Sequence, residues 1–297
     1  MRVRVLGSAA GGGLPQWNCG CENCVRARAA DPAVPPRMQP ALAVSADGER
    51  WSLLNATPDV RDQLARAPAH HPRPGTRDVP IDTVLLTNAD LDHALGLLIL
   101  REALPYRILS TPWVRTALLR HNAVFRILEA AWSEARIDRT YRLDRGDALE
   151  AKLFPVPGKA PGWVRDLERN EPETTVGVRV TDLRTGRRLV YAPGIQRLDE
   201  GTLAELAAAD LRFVDGTFAS EHELLAMRAG APSATEMGHV PIDGPGGSLR
   251  LLAGLPGRTF YIHMNNTNPV LDAGSKEREL QPVFRDVHAR AAHELAL

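Results

Sequence analysis

An excess of charge of either sign is missing. Lysine and arginine together number 36, as do aspartate and glutamate, so the 297-residue chain is formally neutral. The basic surplus that usually marks a nucleic-acid enzyme is therefore absent from the total, although a local basic patch would not show in such a sum. Long apolar runs are missing too. The longest near the middle, residues 94–100, is interrupted by Gly96 and falls far short of the roughly 20 residues needed to span a bilayer. The opening Met1-Arg-Val-Arg-Val-Leu6 reads as a strand, with no apolar h-region behind it. A cytoplasmic protein with no nucleic-acid or membrane partner is expected. Cysteine is scarce: Cys19, Cys21 and Cys24 are the only three. An odd, tightly clustered set makes no disulfide framework and points to metal ligation.

What is present is ordinary globular material, with 44% hydrophobic and 24% charged residues. The length allows one large α/β domain or two small ones. No linker-like stretch, short repeat or low-complexity segment divides the chain, so residues 1–297 are expected to form one domain. A strand at 3–6 runs into Gly7-Ser-Ala-Ala-Gly-Gly-Gly13, which lacks both the Gly-Lys-Ser/Thr ending of a P-loop and the spacing of a dinucleotide site. Residues 41–45 and 51–55 read as a hairpin about Asp47-Gly48, and 174–181 with 189–192 as another about Thr185-Gly186. Further strands are expected at 81–87, 106–110, 151–156, 211–214 and 259–262. Helices are expected at 59–66, 94–104, 112–121, 124–134, 199–209, 220–228 and from Ser275 onward. The polar stretch 161–172 reads as a surface loop long enough to carry a function. Strands ending in Asp or His, with helices between, suggest two mixed sheets with helices outside and a site along the edge where the strands stop.

Three groups of residues carry chemistry. Cys19-Gly-Cys-Glu-Asn-Cys24 can bring three thiolates onto one tetrahedral ion, with Gly20 letting the backbone turn and a fourth ligand arriving from elsewhere; such closed sites are structural zinc sites. Three buried or free thiols are the alternative. Thr87-Asn-Ala-Asp-Leu-Asp-His93 lies between a strand and a helix, where Asp90, Asp92 and His93 can face one ion; the same aspartates would also suit a helix start. Asp215, His239 and His263 are lone residues near strand ends, and only their combination points to a site. His70, His71, His121, His222, His288 and His293 read as non-functional. Asn265-Asn-Thr-Asn-Pro269 is polar and turn-forming, suited to lining a site.

The order of strand, glycine-rich loop, Asp-His motif and late Asp and His residues resembles the metallo-β-lactamase superfamily. That resemblance implies an α/β (α+β) fold, a four-layer αββα sandwich. The cysteine insert at about 15–37 is similar to that of the branch holding phosphonate-pathway cyclic phosphodiesterases and tRNA 3′-processing nucleases. Gly7–Gly13, Pro15-Gln-Trp-Asn-Cys19, Asn55-Ala-Thr-Pro-Asp59, Tyr191-Ala-Pro-Gly194, Val214-Asp-Gly-Thr217, Glu236-Met-Gly-His239 and Ile262-His-Met-Asn-Asn-Thr-Asn-Pro269 resemble the coenzyme PQQ synthesis protein B family across nearly the whole chain.

The chain also departs from the superfamily pattern. In the two-metal motif H-x-H-x-D-H the first two histidines are here Asn88 and Asp90. The segment that should supply a bridging aspartate reads Pro193-Gly194, and no histidine stands near Pro157-Gly-Lys159. The second-metal side survives as Asp92, His93 and His263, two imidazoles and a carboxylate as in facial-triad iron sites, with Asp90 as a possible fourth donor. Counting from His263 to the position of the phosphodiesterases' zinc-closing histidine gives Asn266.

The resemblance implies pyrroloquinoline quinone (PQQ) biosynthesis. The reaction it implies is Fe(II)- and O2-dependent hydroxylation of the tyrosine ring in a diamino acid derived from a Glu–Tyr peptide. In that reading Fe(2+) sits at the active site and Zn(2+) is structural, while His239 and Asp215 act as acid/base and shaping groups. The partners are that small-molecule substrate and PQQ or its precursor, and a homodimer is compatible with the sequence. Two other readings stay open: a carrier for PQQ or its precursor, and a metal-dependent phosphodiesterase, against which the lost histidines count. Arg37, Arg61 and Arg197 are candidates for holding substrate carboxylates.

Overall fold

Apolar residues along the strands supply two buried faces rather than one, so each sheet must be covered on both sides. The computed structural model describes residues 1–102, 105–279 and 294–297. One sheet carries β1 (Arg2–Gly7), β2 (Ala41–Ser45), β3 (Trp51–Leu54), β4 (Ile81–Leu85), β5 (Arg107–Ser110) and β6 (Trp132–Glu134) in that order. The other carries β7 (Thr140–Arg142), β8 (Leu149–Pro155), β9 (Val176–Asp182), β10 (Arg188–Ala192), β11 (Leu211–Asp215) and β12 (Arg258–Ile262), also neighbours in chain order. A short β13 (Glu294–Ala296) pairs antiparallel with β1 on the first sheet. Both hairpins read from the sequence are present, β2 with β3 and β9 with β10. Beyond each hairpin the pairing turns parallel, through β4, β5 and β6 in one sheet and β11 and β12 in the other.

Alternation along the strands then sorts side chains into layers. Leu42, Val44, Leu54, Leu85 and Leu109 share a core with Val178, Leu189, Phe213 and Ile262 of the facing sheet. Their neighbours Ala41, Ala43, Leu53, Val84 and Ile108 instead pack with Val114, Ala117 and Leu118 of the helix Pro112–His121. On the far side Val190, Val214 and Tyr261 pack with Leu206 and Leu252, from the helices Glu200–Ala207 and Ser248–Leu252. Helix, sheet, sheet, helix is the resulting order, the expected αββα sandwich. Among the described residues no helix is long and apolar enough to cross a membrane.

Several expected helices come out differently. The apolar run 124–134 forms a 3-10 stretch, Ala123–Ala131, and then β6. Val124 and Ile127, which suggested a helical stripe, are exposed; beyond them the chain extends to pair with β5, and the Ala135 amide goes on to donate to Ser110 O at 2.7 Å. The helix expected at 94–104 is divided into Leu91–Ala94, Gly96–Ile99 and a 3-10 turn, Leu100–Glu102, while residues 103–104 lie outside the described residues. Gly96 sits where the chain crosses 56–57: a Cβ there would lie 2.3 Å from Thr57 O. Of 220–228 only the 3-10 turn Glu223–Ala226 is helical. Of the tail expected to be helical from Ser275, Lys276–Glu279 is a helix, Glu294–Ala296 is instead the strand β13, whose backbone pairs with β1, and residues 280–293 lie outside the described residues.

The two sheets are tied together at the site end by Asn55, which follows β3 with a left-handed φ of 68°. Its Oδ1 accepts from Thr87 N at 2.9 Å, and its Nδ2 donates to Thr87 Oγ1 at 3.0 Å and to Tyr191 Oη of the other sheet at 3.3 Å. An alanine here would strand the buried Thr87 amide and sit poorly at positive φ. Asn55→Ala is expected to lower unfolding free energy by roughly 2–3 kcal/mol in urea titrations.

Candidate metal centre

The site grows from strand ends. β4 ends at Leu85, and the chain then turns through Thr87 and Asn88 into the short helix Leu91–Ala94. Asp90 occupies the N-cap position, yet its side chain makes no capping bond. It accepts instead from Asn88 Nδ2 at 2.8 Å, so helix capping does not account for this aspartate. Asn88 Oδ1, an acceptor only, lies 2.7 Å from His93 Nδ1 and therefore takes its proton. The His93 lone pair is left on Nε2, which is buried and has no hydrogen-bond partner among the described residues. A buried polar atom without a partner is costly unless something else meets it.

The second half is built after β11 and β12. His263 directly follows β12 and takes a left-handed φ of 62°. Its Nδ1 lies 2.9 Å from Thr217 Oγ1, which donates to Asp215 Oδ1 at 2.7 Å. His239 Nδ1 lies 2.7 Å from Asp215 Oδ2. Since Thr217 spends its one proton on Asp215, His263 Nδ1 donates to Thr217 Oγ1, and His239 Nδ1 donates to Asp215. Both imidazoles thus keep Nε2 for other work. His263 Nε2 lies 3.4 Å from Asp92 Oδ2, and His93 Nε2 lies 3.8 Å from the same oxygen. Ligand atoms about 2.0–2.2 Å from a common ion, at tetrahedral or somewhat wider angles, stand roughly 3.4–3.8 Å apart. Ligand atoms of Asp92, His93 and His263 all fall within 4.8 Å of one another. The three fit one divalent cation, and the unpartnered His93 nitrogen is the strongest sign of it.

Electrostatics agree. Burial lowers His93 to about 4, so its imidazole is neutral and ready to ligate. Burial opposes the charge on Asp92, but His93 and His263 outweigh it and hold the carboxyl well below the usual range. Burial likewise works against protonating His263, and Asp92 reverses that, raising its pKa. Asp90 is pushed up to about 7, by burial first and then by the neighbouring Asp92 charge. It lines the same cavity of about 280 Å³ but stands outside the three-donor cluster. Gly11 of the glycine-rich loop backs Asp92 so closely that a Cβ would meet its Oδ2 at 3.2 Å.

A second cluster lies apart. Cys19, Cys21 and Cys24 bring their sulfurs within 4.8 Å of one another. Asn266 Nδ2 sits over all three, at 2.9, 3.3 and 3.4 Å. A half-turn of that amide would aim Oδ1 at an ion held by the three thiolates. The rest of the polar turn lines no part of the cavity; Asn268, for example, ties down Gly216 O at 2.9 Å.

Comparison with known proteins places this geometry. The model of the beta-lactamase superfamily domain matches residues 50–264. Coenzyme PQQ synthesis protein B of Methylobacterium nodulans is 46% identical over 285 residues, 94% of each chain. The protein of the same name from Rhizobium meliloti is 43% identical over 289 residues, covering 95% of this chain and 93% of its own. The chain belongs to the coenzyme PQQ synthesis protein B family. The Zn(2+)-bound PqqB of Methylobacterium extorquens, a solved member of that family, superposes with a TM-score of 0.90 at 42% identity over the full length of both chains. A diphosphatase of the PhnP family shares the fold at a TM-score of 0.69 and 20% identity.

Within this family chain, two orienting residues were not anticipated from the sequence. Asn88 stands where the superfamily has a histidine and serves His93 as its proton acceptor; Thr217 aligns His263 and bears on His239. Nor do the anticipated arginines line the cavity. Arg37 is buried and donates to Ser8 Oγ at 3.0 Å, and neither Arg61 nor Arg197 is among the lining residues; the non-histidine cations at the cavity are Lys159 and Arg165. The histidines set aside have structural surroundings: His121 meets Glu168 at 2.9 Å, and His70 packs edge-on to Trp51. His288 and His293 lie outside the described residues.

Thr217→Val removes the hydroxyl that aligns these imidazoles while keeping its bulk. Loss of such an orienting partner is expected to weaken divalent-ion binding at Asp92, His93 and His263 by about 10–100-fold, read by calorimetric titration of chelator-treated protein.

Proposed function

We propose that the chain acts in PQQ biosynthesis as a mononuclear iron hydroxylase. Asp92, His93 and His263 hold one ferrous ion, and the tyrosine ring of a Glu–Tyr-derived diamino acid lies in the cavity beside it. The observation that carries this reading is the convergence of two Nε2 atoms and one carboxylate oxygen, without imidazoles at Asn88, Gly158 or Gly194 to hold a partner ion. Hydrolysis by paired metals needs both ions, one for the water and one for the leaving oxygen. A lone ferrous ion in a two-imidazole, one-carboxylate set supplies O2 chemistry at its open positions.

The chain's own groups do the rest. Asp215 holds His239 by Nδ1, so that the cavity-lining imidazole presents Nε2 as an acid/base able to accept the ring proton. Asn88 Nδ2 restrains Asp90 at 2.8 Å, so that its carboxyl lines the cavity beside the three donors and not among them. Cys19, Cys21, Cys24 and Asn266 hold a structural zinc, pinning residues 19–24 against the turn after β12.

Protein loaded anaerobically with Fe(II), supplied with an external two-electron reductant and exposed to labelled O2 with the Glu–Tyr-derived substrate is expected to put one labelled oxygen on the ring and the other into water, and His263→Ala is expected to abolish this. Unlabelled ring in the wild-type reaction, or tight PQQ binding with no oxidation, would overturn the hydroxylase reading. For the second site, Cys21→Ser should cost about one zinc per chain and lower the unfolding temperature, while leaving the donor atoms of Asp92, His93 and His263 unchanged. Full zinc content in that variant would remove the cysteines from the zinc account.

A further inference from the structure

The cavity is lined by carboxylates and imidazoles on the side of β4, β11 and β12, and by the segment after β8 elsewhere. That segment contributes Lys159 and Arg165. They are the two non-histidine cations at the cavity, and neither forms an ion pair among the described residues. Arg26, Arg50, Arg179, Arg184 and Arg187, by contrast, are each committed to a carboxylate. Lys159 Nζ spends one proton on the Glu236 backbone carbonyl and has two left, whereas Arg165 makes no hydrogen bond among the described residues.

The segment that carries them is anchored. Val164, immediately before Arg165, is fully buried, and Ala160 beside Lys159 is buried. Trp163 Nε1 donates to Ala89 O at 3.2 Å, which joins the segment to the loop bearing Asp90 and Asp92. Asn170 Nδ2 donates to Gly158 O at 3.1 Å. Two side chains with unspent donors thus hang from a fixed backbone at the mouth of a site whose other charged groups are acidic. Arg165 offers a planar fork suited to one carboxylate, and Lys159 a point charge suited to another.

We propose that Lys159 and Arg165 form a clamp for two carboxylates of an amino-acid-derived substrate, and so set which edge of its aromatic ring faces Asp92, His93 and His263. This rests on the hydroxylase reading for the ring but not for the binding. Because each cation would hold a separate anionic group, the substrate class is a dicarboxylate and not a monoanion. A phosphate ester shares the charge chemistry, and the test separates the two.

Binding is measured on protein loaded with Zn(2+), so that no oxidation occurs, with glutamyl-tyrosine and its C-terminal amide as probes. Lys159→Gln and Arg165→Gln are each expected to weaken glutamyl-tyrosine about tenfold. For whichever cation holds the capped group, the amide should lose little further affinity. Arg165→Lys should recover part of the binding, and metal content and unfolding temperature should match wild type. Unchanged affinity in both glutamine variants, or equal losses for dipeptide and amide in both, overturns the clamp. Stronger competition by inorganic phosphate than by glutarate overturns its assignment to carboxylates. The iron-loaded variants are then assayed for ring oxidation. Tight, cation-dependent binding without oxidation would sink the hydroxylase reading alone, and ring oxidation with unaltered affinity in the variants would sink the clamp alone.

Discussion

Thr217 Oγ1 lies within hydrogen-bond reach of three groups at once: Asp215 Oδ1 at 2.7 Å, His263 Nδ1 at 2.9 Å and His239 Nδ1 at 3.0 Å. A hydroxyl has one proton to give, and an ionised carboxylate can only accept it. That assignment propagates: His263 must donate at Nδ1, and so the lone pair that can meet a cation is at Nε2. Asp215 is fully buried and would pay heavily for its charge; the positive end of His239, with the amides of Ile195 and Thr217, offsets the burial. The network is closed on the protein side and open only toward the cavity, the arrangement that makes buried polar groups worth keeping.

Backbone geometry supports the same end. His263 turns back at positive φ as the chain leaves β12, and Met264 N and O bond to Ser8 and Ala10 of the loop after β1. Three residues further on, Asn266 reaches the cysteine cluster. The turn 263–268 therefore connects the two candidate ion sites, and the glycine-rich loop is packed between this turn and Asp92. A closed tetrahedral site on one side of such a turn restricts the conformations the other side can sample, which is how a structural ion can matter to chemistry it never touches.

Much of this architecture is legible in the sequence because burial writes itself in apolar residues. The two hairpins, the central strands and the Asp or His at their ends all follow from alternation and from polar residues standing where apolar runs stop. The failures have equally physical causes. Val124 and Ile127 are apolar but exposed, while Phe125 and Leu128 are the buried residues of the segment, so apolar spacing alone pointed to the wrong face. Asn88 and Thr217 act only through hydrogen bonds, and an amide or a hydroxyl has no signature apart from its partners. Lys159 and Arg165 look like any solvated cations; only their place on the cavity distinguishes them from Arg37, which is buried behind the loops.

The loss of histidines at 88 and 90 need not have left a weakened site. An asparagine at 88 gives up metal ligation but gains an acceptor that fixes the His93 tautomer, and its amide nitrogen simultaneously restrains Asp90. Burial and the neighbouring charge of Asp92 push Asp90 up to about 7, while His93 and His263 hold Asp92 well below the usual carboxylate range. One carboxylate is thus kept as an anion for a cation, and its neighbour is held close to the point of taking a proton. Asparagine at 88 therefore orients His93 and restrains Asp90, while the orientation of His263 comes independently from Thr217.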